Sequence, residues 1–445
     1  MIDRDHDEDP ASHTSQHNAL FDDGGPLADP LERQTIFAAL DSFHQYRKHA
    51  HYNTTHRRRQ NLYALPSAQW QMLAGPPFSI LDTLNAVDDA LDHNADLADE
   101  ILRLGLASFG LSENPSEDSE LNWRDAARPS DMSKAHSTIR QFYRDWSREG
   151  YSFEVEPLFH TILSDLESCL PEVHPDATSP TLLLPGAGLG RILFELCLRG
   201  YNVTGNEISY HQLLASNFVL NSTQRANQYS IYPFVNTFTN VTSRAHQLKR
   251  HTIPDIHPGS ALLSRVETGL SVGEMNMTAG DLVLSYSTPE CSGTFDGVVS
   301  VFFIDTAPNL IRYIETIRNC LRKGGMWINV GPLLWHFDDR VHASGEGADG
   351  EERQDHTDNH IGATHKLGLE DKGVAEPGSF ELSDEEVLQL VSRMGFEIVC
   401  HEILGEGILD SDPRSPYRYG LGYMQDPASL LQHRYRCSHW VAKKS

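Results

Sequence analysis

The stretch Thr181-Leu-Leu-Leu-Pro-Gly-Ala-Gly-Leu-Gly-Arg191, followed after a helical run by Asn202-Val-Thr-Gly-Asn-Glu207, decides the fold of this chain. The apolar residues 182–184 are typical of a buried parallel strand. The glycines that follow allow a sharp turn that a ligand can approach closely. Glu207 stands 21 residues after Gly186, where a carboxylate can accept both ribose hydroxyls of a nucleoside ligand. The pattern predicts strand, glycine turn, helix, strand and acid.

The three glycines of this turn, Gly186, Gly188 and Gly190, are spaced as G-x-G-x-G. The fingerprint that seats a pyrophosphate on a helix N-terminus is G-x-G-x-x-G, so a nicotinamide-dependent dehydrogenase is disfavoured. A tight turn without a phosphate cradle suits a ligand that has a ribose and no phosphate, and S-adenosylmethionine is the commonest such cofactor. The alternative is a structural glycine turn in another α/β protein. We therefore predict a methyltransferase whose glycine turn binds S-adenosylmethionine.

The composition narrows the class of protein further. With 36 Lys and Arg against 62 Asp and Glu, the net charge is −26, which argues against a general nucleic-acid or membrane-surface binder. The six cysteines form no C-x-x-C pair, so neither a zinc ribbon nor a disulfide framework is indicated. The acidic first residues are not a secretory signal, and no run reaches the roughly 18 apolar residues of a membrane span. We expect a cytoplasmic protein, with the nucleus as a second location.

The residue pattern divides the chain into three parts. Residues 1–30 are rich in Asp, His, Gly and Pro, which predicts a disordered tail. Residues 31–151 carry helical periodicity, which predicts an N-terminal helical region. Residues 152–445 alternate strands and helices, which predicts a Rossmann-like, doubly wound α/β sheet. Within this last part, the polar residues at about 338–377 are predicted to form a flexible insertion.

Acidic side chains follow three successive predicted strands. Glu207 ends the second strand, Asp281 the third and Asp305 the fourth. Ligands of open α/β sheets bind at the carboxyl ends of the strands. We therefore expect Asp281 to accept from the adenine amino group and Asp305 to hold a cationic or N–H-bearing substrate. The alternatives are ordinary surface carboxylates and, for Asp305, the N-cap of the next helix.

Histidines give two further candidates. His336 lies just past the fifth predicted strand, over the same edge of the sheet, and is a candidate for substrate binding with a structural histidine as the alternative. His356 and His360 have the H-x-x-x-H spacing of helical metal ligands. They lie in the polar insertion without apolar periodicity, so we interpret them as solvent-exposed residues and predict no metal site.

Longer motifs carry a resemblance to a known family and are spread over most of the chain from about 33 to 443. The main stretches are Gln141-Phe-Tyr-Arg-Asp-Trp-Ser147, Leu184-Pro-Gly-Ala-Gly-Leu-Gly-Arg191, Gly205-Asn-Glu207, Ser216-Asn-Phe-Val-Leu-Asn221, Met277-Thr-Ala-Gly-Asp281, Phe302-Phe-Ile-Asp-Thr-Ala307 and Trp327-Ile-Asn-Val-Gly-Pro-Leu-Leu-Trp-His-Phe337. With them the chain resembles the carnosine N-methyltransferases, in the N2227-like group of S-adenosylmethionine enzymes. The resemblance implies a Rossmann-like class I methyltransferase sheet with an added N-terminal helical region.

The resemblance also implies roles for individual residues. Gln141 and Arg144 would reach the carboxylate end of the cofactor from the helical region. The rest of the cofactor would be held by Gly186, Glu207 and Asp281, with Leu282 beside the adenine. The substrate imidazole and amine groups would be bound by Asp305, His336 and Tyr435.

The family methylates a ring nitrogen of the histidine moiety in carnosine, which gives anserine. The resemblance therefore implies a small histidine-containing peptide as the substrate, and the alternative is a histidine in a larger peptide or a protein. A homodimer is allowed, and neither nucleic acid nor a membrane is expected as a partner. The segment His433-Arg-Tyr-Arg-Cys437 departs from the tyrosine-rich pattern of the family. A non-catalytic cofactor-binding protein would show a damaged pocket, whereas the glycine turn and the three acids are intact here.

Overall fold

The computed structural model of the chain describes residues 25–170, 179–335, 380–404 and 420–445. Its longer helices are α1 Pro30–His51, α2 Arg57–Tyr63, α3 Ser67–Ala74, α4 Ile80–Ser108, α5 Pro129–Trp146, α6 Glu156–Cys169, α7 Arg191–Leu198, α8 Tyr210–Asn221, α9 Pro258–Glu267, α10 Leu282–Tyr286, α11 Leu310–Cys320 and α12 Asp384–Arg393. Its strands are β1 Thr181–Pro185, β2 Asn202–Glu207, β3 Tyr229–Ile231, β4 His251–Ile253, β5 Met275–Ala279, β6 Phe295–Val301, β7 Leu321–Gly331, β8 Phe396–Ile403 and β9 Ser438–Lys444. The predicted insertion at about 338–377 and most of the predicted tail lie outside the described residues.

Among the described residues, seven strands form one sheet in the order β5-β2-β1-β6-β7-β9-β8. The first five are parallel, whereas β9 runs antiparallel to both β7 and β8. The chain moves outward from β1 in one direction and then, from β6, in the other, so the strand order reverses beside β1. Ligands of open α/β sheets bind at such a reversal, outside the carboxyl ends of the strands. The predicted Rossmann-like, doubly wound sheet is confirmed.

Helices cover both faces of this sheet, as they do in doubly wound folds. On one face, α6 and α7 pack against buried side chains such as Leu182, Val299 and Val441. On the other face, α11 and α12 pack against Leu183, Trp327 and neighbouring core residues. Both faces of the central strands are therefore buried, which explains why β1 and β6 are continuous apolar runs.

The N-terminal helices pack beside the sheet and bring α5 against the glycine turn. The helix α1 begins at Pro30, where the Asp29 carboxylate accepts from the Leu31 N–H at 2.7 Å and caps the helix. The Trp146 indole at the end of α5 donates to the Leu189 carbonyl at 3.0 Å. Arg191, at the start of α7, donates to the Asp145 carbonyl at 3.0 Å. These two bonds fix the end of α5 over the turn that follows β1.

A short antiparallel hairpin, β3 and β4, was not predicted. Each strand has three residues, and the pair is separate from the main sheet. Its residues Ile231 and Ile253 are buried in the core shared with the N-terminal helices, and the Asn94 side chain of α4 bonds both the N–H and the C=O of Tyr232. The hairpin thus joins the helical region to the α/β part.

Residues 420–437, which we call the C-terminal strap, lie across the N-terminal helices before the chain enters β9. The buried Glu154 carboxylate accepts from the backbone N–H groups of Met424 and Gln425 at 2.7 and 2.8 Å. Arg140 of α5 donates to the Met424 carbonyl at 2.5 Å. Leu421 and Tyr435 pair with each other through their backbones, which closes the strap into a loop. The strap therefore has a defined position beside α5.

Candidate active site

A cleft with an empty volume of about 1480 Å³, its open mouth included, lies over the carboxyl ends of β1, β2 and β6. Gly186 and Gly188 of the glycine turn line this cleft. Gly186, Gly188 and Gly190 adopt φ values of +67°, +58° and +76°, which side chains rarely allow. A Cβ at Gly186 would lie 2.6 Å from the Phe303 ring, and one at Gly188 would lie 3.0 Å from Gln141 Nε2. Glycine is therefore required at the first position by both conformation and space.

The Glu207 carboxylate, 6% exposed, lines the cleft at the end of β2. Its Oε2 accepts from the Gly188 N–H at 2.9 Å, and its Oε1 accepts from the Ile208 and Ser209 N–H groups at 2.9 Å each. Burial raises the pKa of Glu207, and the three N–H donors oppose that rise. The acid thus ties the end of β2 to the glycine turn. Its predicted contact with ribose hydroxyls stays a prediction.

Asp281 lies in the turn between β5 and α10, Leu282 is the first residue of α10, and both line the cleft. The Asp281 Oδ1 caps α10 by accepting from the Val283 and Leu284 N–H groups at 2.9 and 3.0 Å. Burial raises the pKa of Asp281, and the two N–H donors oppose the rise. Because the two bonds use Oδ1, they hold the carboxylate at the rim of the cleft in a fixed orientation.

Gln141 and Arg144 project from α5 into the cleft. Both bond Asp145: Gln141 Nε2 donates to Oδ2 at 3.2 Å, and Arg144 Nη1 donates to Oδ1 at 2.6 Å. Burial alone would lower the pKa of Arg144, but Asp145, Tyr423 and Glu154 outweigh burial, so the pKa is raised and the guanidinium keeps its charge. Asp145 therefore positions both side chains that the family resemblance assigns to the cofactor.

The donor set of the cleft fits S-adenosylmethionine. The Arg144 Nε is buried, and in the described part of the chain it has no hydrogen-bond acceptor; the nearest carboxylate oxygen, Glu154 Oε2, lies at 3.8 Å. A buried N–H of a charged group without an acceptor is costly, and the carboxylate of a bound amino-acid moiety would satisfy it. The buried acids Glu207 and Asp281 offer acceptors for hydroxyl and amino groups at the opposite wall.

The predicted substrate residues Asp305 and Tyr435 lie together beside this cleft. Asp305 is 2% exposed, and its Oδ2 accepts from the Leu334 N–H at 3.0 Å. Burial, and then the neighbouring Asp305 carboxyl, raises the pKa of Tyr435. Among the described residues the cleft wall on this side is formed by Phe302, whose ring meets Tyr435 edge-on at 6.0 Å. Asp305 and Tyr435 therefore lie next to Phe302, outside the cleft lining itself.

His336 lies outside the described residues, so its predicted role stays a prediction. The preceding Trp335 is 7% exposed and donates from Nε1 to the Leu382 carbonyl at 3.0 Å. This contact fixes the chain just after β7 on the same edge of the sheet as Asp305. The described chain resumes at Phe380.

The structure adds functional candidates that the sequence analysis missed. Tyr423 of the C-terminal strap lines the cleft, stacks on Phe302 at 5.1 Å and lies 4.8 Å from the Arg144 guanidinium. Tyr313 of α11 also lines the cleft and stacks on Phe303 at 5.2 Å. Asp145 had a signal in the sequence, since it follows Arg144 directly in the quoted motif. Tyr423 had none, because its contacts join residues far apart in the chain.

Together, the sheet order, the glycine turn and the strand-end acids define an S-adenosylmethionine-dependent methyltransferase. A sequence-family model described as "Carnosine N-methyltransferase" matches residues 121–445 of this chain. The chain is a member of the carnosine N-methyltransferase family. The predicted family and the methyltransferase activity are thereby confirmed.

Individual relatives agree with this membership. The carnosine N-methyltransferase of Mus musculus is 31% identical over 93% of this chain and 87% of its own length. That of Schizosaccharomyces pombe is 29% identical over 93% of this chain and 97% of its own length. A solved S-adenosylmethionine-dependent methyltransferase from Methanosarcina mazei is 15% identical, with a TM-score of 0.33, over 63% of this chain and 96% of that chain. We assign the fold from the strand order and the site rather than from this last likeness.

Among the described residues, no helix combines the length and the apolar character needed to cross a bilayer. The homodimer and the cytoplasmic and nuclear locations stay predictions.

Proposed function

We propose that this methyltransferase transfers the methyl group of S-adenosylmethionine to an imidazole ring nitrogen of carnosine, or of a related histidine-containing dipeptide, to give anserine or its counterpart. The curated relatives are named for this reaction. The observation that carries the proposal is the buried Asp305 carboxylate at the end of β6, next to Tyr435 and to the Phe302 wall of the cofactor cleft. A carboxylate at this place can accept the N–H of an imidazole whose other nitrogen points toward the cleft.

When bound, S-adenosylmethionine supplies an electrophilic methyl group, so the protein needs to position the nucleophile rather than to create a strong base. Free imidazole has a pKa near 6.5, so much of it is neutral near pH 7. Asp305 accepting one ring N–H would fix the tautomer and leave the lone pair on the other nitrogen free. Correct alignment of two reactants is itself a large part of catalysis.

The chain's own contacts explain how this alignment is kept. Leu334 donates to Asp305 Oδ2 and holds the carboxylate in one orientation. Tyr435 is fixed by its backbone pairing with Leu421 in the C-terminal strap. Phe302 and Tyr423 stack against each other and close the apolar side of the cleft. Their rings form an apolar wall of the cleft next to Tyr435.

Incubation of the purified chain with methyl-labelled S-adenosylmethionine and carnosine, followed by mass spectrometry, tests the proposal. We expect one labelled methyl group on the imidazole ring. Transfer to a histidine in a longer peptide or a protein, with none to carnosine, would instead favour the alternative substrate class. Binding of the cofactor is measured in the same samples, so that a lack of transfer is not mistaken for a lack of cofactor.

A further inference from the structure

A cluster of side chains that could bind a metal lies between α6 and the strands β8 and β9. It is separate from the residues assigned to the reaction. Asp165 of α6, Cys400 of β8 and His439 of β9 each offer one ligand atom, and these atoms all lie within 4.8 Å of one another. Ligands of a tetrahedral zinc ion lie roughly 3.5 Å apart, since each is about 2.0–2.3 Å from the metal. Small side-chain rotations therefore suffice to bring the three atoms around one ion.

The register between β8 and β9 brings the strand side chains of this cluster to one face of the sheet. Cys400 and Glu402 are two residues apart on β8, so their side chains share one face. His439 stands directly opposite Glu402 across the β8–β9 ladder, and cross-strand partners point to the same face. That face packs against α6, which supplies Asp165.

A second carboxylate holds the other ring nitrogen of His439. His439 is 4% exposed, its Nε2 lies 2.7 Å from Asp165 Oδ2, and its Nδ1 lies 3.0 Å from Glu402 Oε1. Metal-binding histidines usually donate the N–H of the free ring nitrogen to a carboxylate, which fixes the tautomer and orients the ring. Glu402 occupies that place, while Nε2 faces Asp165 and Cys400.

The charge around His439 favours a cation. In the described part of the chain, neither Asp165 nor Glu402 is paired with a lysine or an arginine; both face His439. Although burial opposes it, the pair of carboxylates raises the pKa of His439. The two carboxylates give this place a negative charge that a divalent cation would neutralise.

We propose that Asp165, Cys400 and His439 form a binding site for a zinc-class divalent cation, with Glu402 as the outer partner of His439. Sulfur, nitrogen and oxygen ligands together suit Zn²⁺ and Co²⁺ better than Mg²⁺ or Ca²⁺. The exposed Cys400 side leaves a fourth position open to water. Such an ion ties the edge strand β8 and its neighbour β9 to α6.

Titration of the tag-free full chain with Co²⁺ tests the site, because a cobalt–thiolate bond has a strong near-ultraviolet charge-transfer absorption. We expect one Co²⁺ per chain with this absorption, and its loss when Zn²⁺ is added. The variant Cys400→Ser removes the absorption, and because Cys400 is exposed the variant keeps the fold. The matched control, Cys291→Ser, leaves it unchanged.

One further variant and a measurement of thermal stability separate a ligand set from a single reactive thiol. Replacing the outer carboxylate by Glu402→Ala weakens Co²⁺ binding about 10- to 100-fold, as loss of an outer partner does at other histidine–metal sites. Zn²⁺ raises the Tm of the unmodified chain and not that of Cys400→Ser. Cobalt binding without thiolate absorption, which the histidines of 336–379 could give, or absorption that persists in Cys400→Ser would overturn the proposal.

Discussion

Asp305 is the residue on which the proposed chemistry depends most directly. It is buried, it is held by the Leu334 N–H, and it lies close enough to Tyr435 to add to the rise that burial causes in the pKa of that side chain. We expect Asp305→Asn to lower kcat about 100-fold, because an amide cannot hold the imidazole N–H as a carboxylate does. The Kd for S-adenosylmethionine, measured by calorimetry, should change less than two- to threefold (roughly 0.5 kcal/mol).

The control for this variant is Asp296→Asn. Asp296 pairs with Arg322 and bonds Thr181 at the other end of the strands, so its loss should leave kcat near the original value. If Asp305→Asn weakened cofactor binding as much as it lowered turnover, Asp305 would belong to the cofactor site and the assignment to the substrate would be wrong.

Some residues of the site could be predicted and others could not, for physical reasons. Glu207 and Asp281 end strands in the expected register, so the local pattern was enough to put them at the cleft. Gln141 and Arg144 come from a helix outside the sheet, and only the family resemblance pointed to them. Tyr423 reaches the cleft because Glu154 accepts from the neighbouring Met424 N–H of the C-terminal strap, about 270 residues further along the chain. No local sequence pattern encodes a contact between residues so far apart.

Among the elements, the glycine turn gives the sharpest test. In Gly186→Ala the new Cβ meets the Phe303 ring at 2.6 Å, and φ is +67°. We expect a loss of cofactor affinity of at least tenfold, because the turn or the ring must move into the cleft. Binding is measured by calorimetry with S-adenosylmethionine, and folding by thermal denaturation.

Gly269→Ala is a matched control for backbone strain. Gly269 has φ of +73°, and a Cβ there meets nothing within 4 Å. A left-handed alanine costs about 1–2 kcal/mol. Backbone strain should therefore lower the free energy of unfolding by a similar amount in both variants. Equal cofactor affinity in the two variants would show that the close approach at Gly186 is not required for binding.

The C-terminal strap is a second element whose hold can be measured. Glu154→Gln has one acceptor oxygen where the carboxylate has two, so one of the N–H groups of Met424 and Gln425 loses its partner. A bond to a charged acceptor contributes about 1.5–3 kcal/mol. Amide exchange over 423–426 should therefore become at least about tenfold faster.

The comparison variant for the strap is Glu149→Gln, which removes a carboxylate that pairs with the exposed Lys249. It should leave amide exchange over 423–426 unchanged. Unchanged exchange in Glu154→Gln as well would mean that the strap is held by other contacts.

The element pattern was predictable where hydrophobic periodicity was long. Within the predicted helical region of residues 31–151, the long helix Ile80–Ser108 is observed, because its apolar stripe spans many turns. The hairpin β3–β4 was missed, because three residues are too few for an alternating pattern to be visible. Its strands form because Asn94 and the core around Ile231 hold them.

For the whole molecule, acid should destabilise the fold through partly buried histidines that the folded chain holds neutral. His136 packs on the Tyr46 ring at 4.3 Å, and its Nε2 lies 3.0 Å from His49 Nδ1. Burial, with His49 adding to it, lowers the pKa of His136 to about 3. Between pH 6.5 and 3 the unfolded chain binds this proton and the folded chain does not, so stability falls as the pH falls.

Urea unfolding near pH 7 and near pH 5 measures the effect. The original chain should lose about 2 kcal/mol more than His136→Gln over that interval, from the difference between the two pKa values. Gln keeps an acceptor for His49 without a proton to bind. The same pH dependence in both chains would show that other groups cause the loss.

The position of β9 has a consequence for how the protein is made. This strand lies between β7 and β8 in the sheet, yet residues 438–444 are synthesised after both. Until residues 438–444 leave the ribosome tunnel, β7 has an open edge and β8 has no neighbour to pair with. Open strand edges invite pairing with other chains, so a transcript that stops before Ser438 yields an aggregation-prone product rather than a smaller enzyme.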